Sequence, residues 1–200
     1  MGPPGGRRGG RPGQLGASSQ EHVLSGAHGV DECSDSDLAS VRDLLGRDPK
    51  VRFAVAVRDS DGSPLVIRNE PFTFDGEPMP TKWWLIDAEL VRAVSRLEAA
   101  GGVRQAECEV DAEALGEAHR NYAKERDADI PAWWSGPRPA GGVGGTRRGV
   151  KCLHAHYAWF LAGGEDPVGD WTARRLLDGG GPPSRDPFAT LGRGRVPTDD

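Results

Sequence analysis

The sequence is poor in lysine, in cysteine and in long apolar runs, and each shortage closes off a class of function. Of its 25 basic residues only 4 are lysine. Over residues 31–178, 19 Lys and Arg stand against 26 Asp and Glu. A nucleic-acid surface needs a basic face to neutralise phosphates, so no nucleic-acid partner is expected. The excess of arginine, beside abundant Gly, Ala and Pro, fits a GC-rich coding bias better than a demand for guanidinium chemistry. Three cysteines, Cys33, Cys108 and Cys152, are an odd number and give no disulfide framework. Free thiols and a cytoplasmic setting are the expectation. No stretch approaches 18 consecutive apolar residues, so no membrane insertion is expected. Arg7-Arg8 is followed by glycines instead of an apolar segment, so no export signal is read there. Nucleophile and phosphate motifs are lacking too. The glycines of GGVGG (141–145) have neither a following Lys-Ser/Thr nor a preceding strand, and there is no G-x-S-x-G elbow.

Glycine and proline are plentiful but uneven. They gather at 1–16, 135–149 and 179–197, where too little apolar content is available to offset the entropy of ordering. The expected organisation is a disordered Gly/Arg-rich tail over 1–33, a globular domain over 34–178 with a flexible loop at 135–149, and a second disordered tail over 179–200. Three arginines in the first tail, Arg7, Arg8 and Arg11, read as a solvated linker.

Within the domain, SDLASVRDLLG (36–46) opens on polar caps and stops at Gly46, which predicts a short helix. RFAVAVRD and PLVIRNE flank SDGS and predict a hairpin over 51–69 with Asp61-Gly62 at its turn. A proline-rich loop follows, then a third strand at Lys82–Ile86. Asp87 is placed to cap a helix over AELVRAVSRLEAA, stopped by Gly101, and Asp111 to cap another over 112–127. Residues 149–163 are the most apolar helix candidate, and DPVGDWTARRLL predicts a last short helix. The sum is a small α+β domain: about three antiparallel strands, a hairpin plus one, packed by about five helices.

Two groups of side chains carry candidate chemistry. On 112–127, His119, Tyr122 and Arg126 share a face, and an imidazole, a phenol and a guanidinium in a row suit an anion or phosphorylated ligand, with Thr81 and Lys151 as further candidates. The same three also fit a helix border where Tyr122 packs and Arg126 reaches an acidic neighbour. On 149–163, Cys152 and His156 fall at i, i+4 and are candidate zinc ligands, while His154 points away from His156. That run equally fits a core helix whose histidines bond to neighbouring carbonyls or carboxylates.

The blocks DGEPMPTKWWL (75–85), AVSRLEAAGGV (93–103), AHRNYAKER (118–126) and VKCLHAHYAWFLAGGEDPVGD (150–170) resemble, in order and spacing over about 36–178, a family common in actinobacteria and catalogued as domain of unknown function 501. The resemblance implies no established activity. It implies gene neighbours that include a septum-formation initiator, an exopolyphosphatase-like phosphatase and enolase. It also implies two positions that are usually Cys and are Asp59 and Asp87 here, so that Asp59, Asp87, Cys152 and His154 would make an altered zinc set, with Asp the harder ligand. The local alternative is that Asp59 belongs to a turn and Asp87 caps a helix. The expected function is a non-enzymatic binding or regulatory domain with a protein partner, linked to cell division or polyphosphate metabolism. A small zinc-dependent hydrolase or transferase, or a phosphate or nucleotide binder, is the alternative.

Overall fold

A computed structural model describes Gly2 and residues 33–179. The chain divides into Met1–Val30 and Asp31–Asp200, and every element below belongs to the second unit. The two tails expected from composition lie almost wholly outside the described residues.

Helix α1 spans Asp35–Leu45, and it starts where it does because Ser34 and Asp37 bond reciprocally to each other's backbone N–H in a capping box. Strands β1 (Val51–Arg58) and β2 (Pro64–Thr73) form the hairpin, and β3 (Trp83–Leu85) pairs with β2, giving an antiparallel sheet in the order β1-β2-β3. The hairpin is longer than its sequence suggested. β2 runs through Pro71 to Thr73, because Val51 pairs with Thr73 and Phe72 bridges to Pro78. At the turn, the Asp59 carboxylate accepts from the N–H groups of Asp61 and Ser63.

The sheet has apolar side chains on both faces. On one face Ile67 meets Val41 and Ile86, with Leu44, Leu45, Phe53, Val55 and Trp84 around them, so α1 covers this side. The other face, with Val66, Trp83 and Leu85, opens the main core. Strict alternation would keep Val57 beside Phe53 and Val55, yet Val57 packs in the main core; the register shifts between Val55 and Val57, where a bulge turns the strand.

Four further helices build up the main core: α2 (Ala88–Ala99), α3 (Gly102–Glu109), α4 (Ala112–Asp127) and α5 (Leu153–Leu161). A sixth helix, α6 (Pro167–Asp178), closes it. Asp87 caps α2 by accepting from Glu89 and Leu90 N–H, and Asp111 caps α4 through Ala114 N–H, as their sequence positions indicated. Helix α3 is a correction: Gly101 halts α2 in a left-handed conformation (φ 91°) and the chain re-enters a helix at once. Eight of the nine α5 residues are buried, as expected of a helix apolar nearly all round. Among the described residues no helix is long and apolar enough to cross a membrane.

Candidate functional site

The row His119, Tyr122 and Arg126 does lie on one face of α4, but that face is the inner one. All three are buried, Tyr122 and Arg126 to 1% and 2% exposure. What they touch fits the other reading of this face, in which Tyr122 packs and Arg126 reaches an acidic neighbour. Arg126 donates from Nη1 to the carbonyls of Ala140 and Gly141, and from Nη2 to Pro139. It also pairs with Asp127 at 2.7 Å. The Tyr122 hydroxyl accepts from Lys82 N–H at 2.7 Å and donates to Pro80 O; burial pushes its pKa up to about 12. His119 accepts from Val143 N–H at Nδ1, which places its proton on Nε2 and directs it to Gly149 O. Burial lowers the pKa of this ring below the usual histidine value.

These contacts give the segment 135–149 a structural reason. A burying guanidinium satisfies three carbonyls at its start and an imidazole ties its middle to its end. Gly142 lies so close to the His119 side chain that a Cβ there would collide with it. The glycines that suggested a flexible loop permit this close approach. Lys151 belongs to the same assembly, donating from Nζ to Gly144 O at 3.1 Å, and the Thr81 carbonyl accepts from Asn69 Nδ2.

On α5 the sequence expectation shifts in register. The helix begins at Leu153, and Cys152 is its N-cap in extended conformation (φ −158°). Cys152 and His156 are therefore not neighbours on one helical face, and the pairing read from i, i+4 spacing does not form. His156 instead turns into the core, fully buried, and pairs through Nδ1 with Asp166 Oδ2 at 2.7 Å. The other Asp166 oxygen caps α6 by accepting from Val168 and Gly169 N–H. Nε2 of His156 has no hydrogen-bond partner, and its ring centre lies 5.7 Å from that of His119.

His154 points the other way, to a half-exposed cluster with Cys152 and Glu98 of α2. One ligand atom from each lies within 4.8 Å of the other two, the only such trio of His, Cys, Asp or Glu among the described residues. Nδ1 of His154 is 3.2 Å from Glu98 Oε1, and Nε2 is 3.2 Å from both Val91 O and Ser95 Oγ. Glu98 Oε1 also accepts from Leu153 N–H, the first free donor of α5. Burial raises the Cys152 pKa, so without a cation the group is a thiol. Asp59 and Asp87 do not join this cluster; they hold the hairpin turn and the α2 cap. Glu98, which the sequence did not single out, takes their place.

Sheet, central helix and these two polar clusters define a small α+β domain in which one short helix carries a closed histidine site and an open one. The chain belongs to the family described as "Protein of unknown function (DUF501)", whose model matches residues 55–174. Both clusters fall inside that span. None of the curated proteins compared matches the chain, and none of the solved structures does.

Proposed function

We propose that this domain is a non-enzymatic binding module that engages a protein partner through Trp133. The observation that carries the reading is an indole held out to solvent on a fixed base. Trp133 is 64% exposed, an unusual state for the largest apolar side chain. Beneath it Trp134 packs edge-on at 5.9 Å, lies tilted against Phe72 with ring centres 4.1 Å apart and donates from Nε1 to Pro137 O. Phe74, two residues beyond Phe72, is 65% exposed. A rigid, exposed Trp loses little entropy on binding and supplies a large apolar contact, which is why Trp dominates binding hot spots. The candidate ligand row on α4 supports this assignment indirectly, because its polar atoms hold the loop that follows Trp134.

A cytoplasmic setting and a role in cell division or polyphosphate metabolism belong to the same proposal. The resemblance implies gene neighbours that include a septum-formation initiator and an exopolyphosphatase-like phosphatase, and those two are the partners to test. Titrating each against the full chain, with tryptophan emission or calorimetry as readout, should show one binding event. Trp133→Ala should weaken it by about 2 kcal/mol, roughly 30-fold. Unchanged affinity in Trp133→Ala would remove Trp133 from the interface; no binding by either protein would remove the link to that machinery.

A further inference from the structure

We propose that Glu98, Cys152 and His154 form a zinc site with three protein ligands and a fourth position facing water. The proposal stands apart from the Trp133 reading and draws on different residues.

The donors suit the metal. Thiolate, imidazole and carboxylate are the three ligand types that zinc takes, and a mixed set of this softness favours it over the oxygen-seeking Mg²⁺ and Ca²⁺. Their spacing suits it as well. Zinc–ligand bonds of about 2.0–2.3 Å place tetrahedral ligands about 3.3–3.7 Å apart. Nδ1 of His154 and Oε1 of Glu98 are already 3.2 Å apart, and all three donor atoms lie within 4.8 Å of one another, so small side-chain rotations complete the shell.

A second observation concerns the orientation of the His154 ring. Its Nε2 lies 3.2 Å from both the Val91 carbonyl and the Ser95 hydroxyl, and its Nδ1 3.2 Å from Glu98 Oε1. With the proton on Nδ1 the ring donates to Glu98 and accepts from the Ser95 hydroxyl; with the proton on Nε2, donated to Val91 O, Nδ1 turns a lone pair toward the carboxylate, the arrangement a metal ligand needs. A cation held between Nδ1 and Oε1 would select the second of these tautomers. The Nε2–H to carbonyl bond is the outer contact that metal-bound histidines use to fix tautomer and ring direction. Val91, Ser95 and Glu98 lie on one stripe of α2, so a single rigid helix supplies both a ligand and the contacts that aim its neighbour.

The site is also reachable. The side chains of Glu98 and His154 each keep 24% exposure, which leaves room for water or an exogenous ligand at the fourth position. With α2 contributing Glu98 and the start of α5 contributing the other two, bound zinc would pin those helices together across more than fifty residues of sequence.

Cysteine alkylation followed by mass spectrometry tests this on the wild-type full chain, expressed without a His-tag and stripped by chelation. Adding zinc should slow modification of Cys152 at least about tenfold, with the effect of an outer-shell change on affinity as the floor. Cys108 is exposed and outside the cluster, so its rate should not change. Cobalt should replace zinc and produce a thiolate-to-cobalt charge-transfer absorption. That absorption should vanish in Cys152→Ser and require at least about tenfold more cobalt in Glu98→Gln. An equal Cys152 rate with and without zinc, together with a spectrum of aqueous cobalt alone, would overturn the site and leave His154 as a hydrogen-bond partner of Glu98. If Cys152→Ser does not fold, the wild-type protection and the near-isosteric Glu98→Gln decide the matter.

Discussion

His154 and His156 sit two residues apart on α5 and live in opposite chemistries. The His156 ring is sealed in the core, paired with an aspartate that also caps α6 and lying against the His119 ring, whose helix holds the 135–149 loop. The His154 ring lies at the rim, with a glutamate, a thiol and a hydroxyl around it and solvent within reach. Helical geometry sends the two side chains to opposite sides. What they then become is decided by burial: a polar group in the interior is committed to its partner, whereas one at the surface can exchange a proton for a metal ion.

The contrast is testable by breaking each side in turn. Asp166→Ala should have the largest effect, because it strands a buried imidazole and removes the α6 cap at once. A loss of about 4 kcal/mol in urea unfolding is expected; a loss below 1 kcal/mol would mean the inner pair is no more committed than the outer one. Arg126→Ala leaves carbonyls of Pro139, Ala140 and Gly141 without their donor, and about 2–3 kcal/mol should follow. Hydrogen exchange should then speed up across 139–149 while α4 stays protected, and uniform speeding over the whole domain would contradict the local role.

The third test uses pH. Burial lowers the folded-state pKa of His119 below the ordinary 6.5, so just under that value the unfolded chain binds a proton that the folded protein does not. The contribution is fully present above about 6.5 and is lost as pH falls through the window beneath it. His119→Gln should flatten this part of the stability profile, and an unchanged slope would assign it elsewhere. The smallest effect belongs to the rim: in metal-free protein His154→Ala should cost less than about 1 kcal/mol, as loss of a half-exposed polar contact does. Thermal unfolding with and without the chelator separates that cost from the loss of zinc.

Sequence reasoning reached the inner architecture more readily than the outer site. Asp87 and Asp111 are caps whose signals are local, so the helices they begin could be placed from sequence. Helix α3 escaped because a glycine pair reads as a stop and Gly101 offers no side-chain cap. Spacing alone pairs Cys152 with His156, because the apolar run begins a few residues before the true helix start at Leu153, whereas the family resemblance sets it beside His154. Glu98 could not have been found: it meets His154 across 56 positions, and nothing nearby separates it from a solvated glutamate on a helix. The α4 row was visible as a row, but periodicity alone does not say whether a face with Tyr and Arg looks in or out.

The burial of α5 has a consequence for how the protein is made. LHAHYAWFL contains no Asp, Glu, Lys or Arg, and in the finished fold only His154 escapes the interior. Its cover comes from both directions along the chain: α2 and β3 precede it, but α6 is the last helix among the described residues. During synthesis, therefore, one flank of the most adhesive segment stays bare until the final turns of α6 leave the ribosome. Over that interval, uncharged and rich in aromatic residues, it is the part of the nascent chain most prone to aggregate. Asp166, one residue before α6, is the first group that can close the gap.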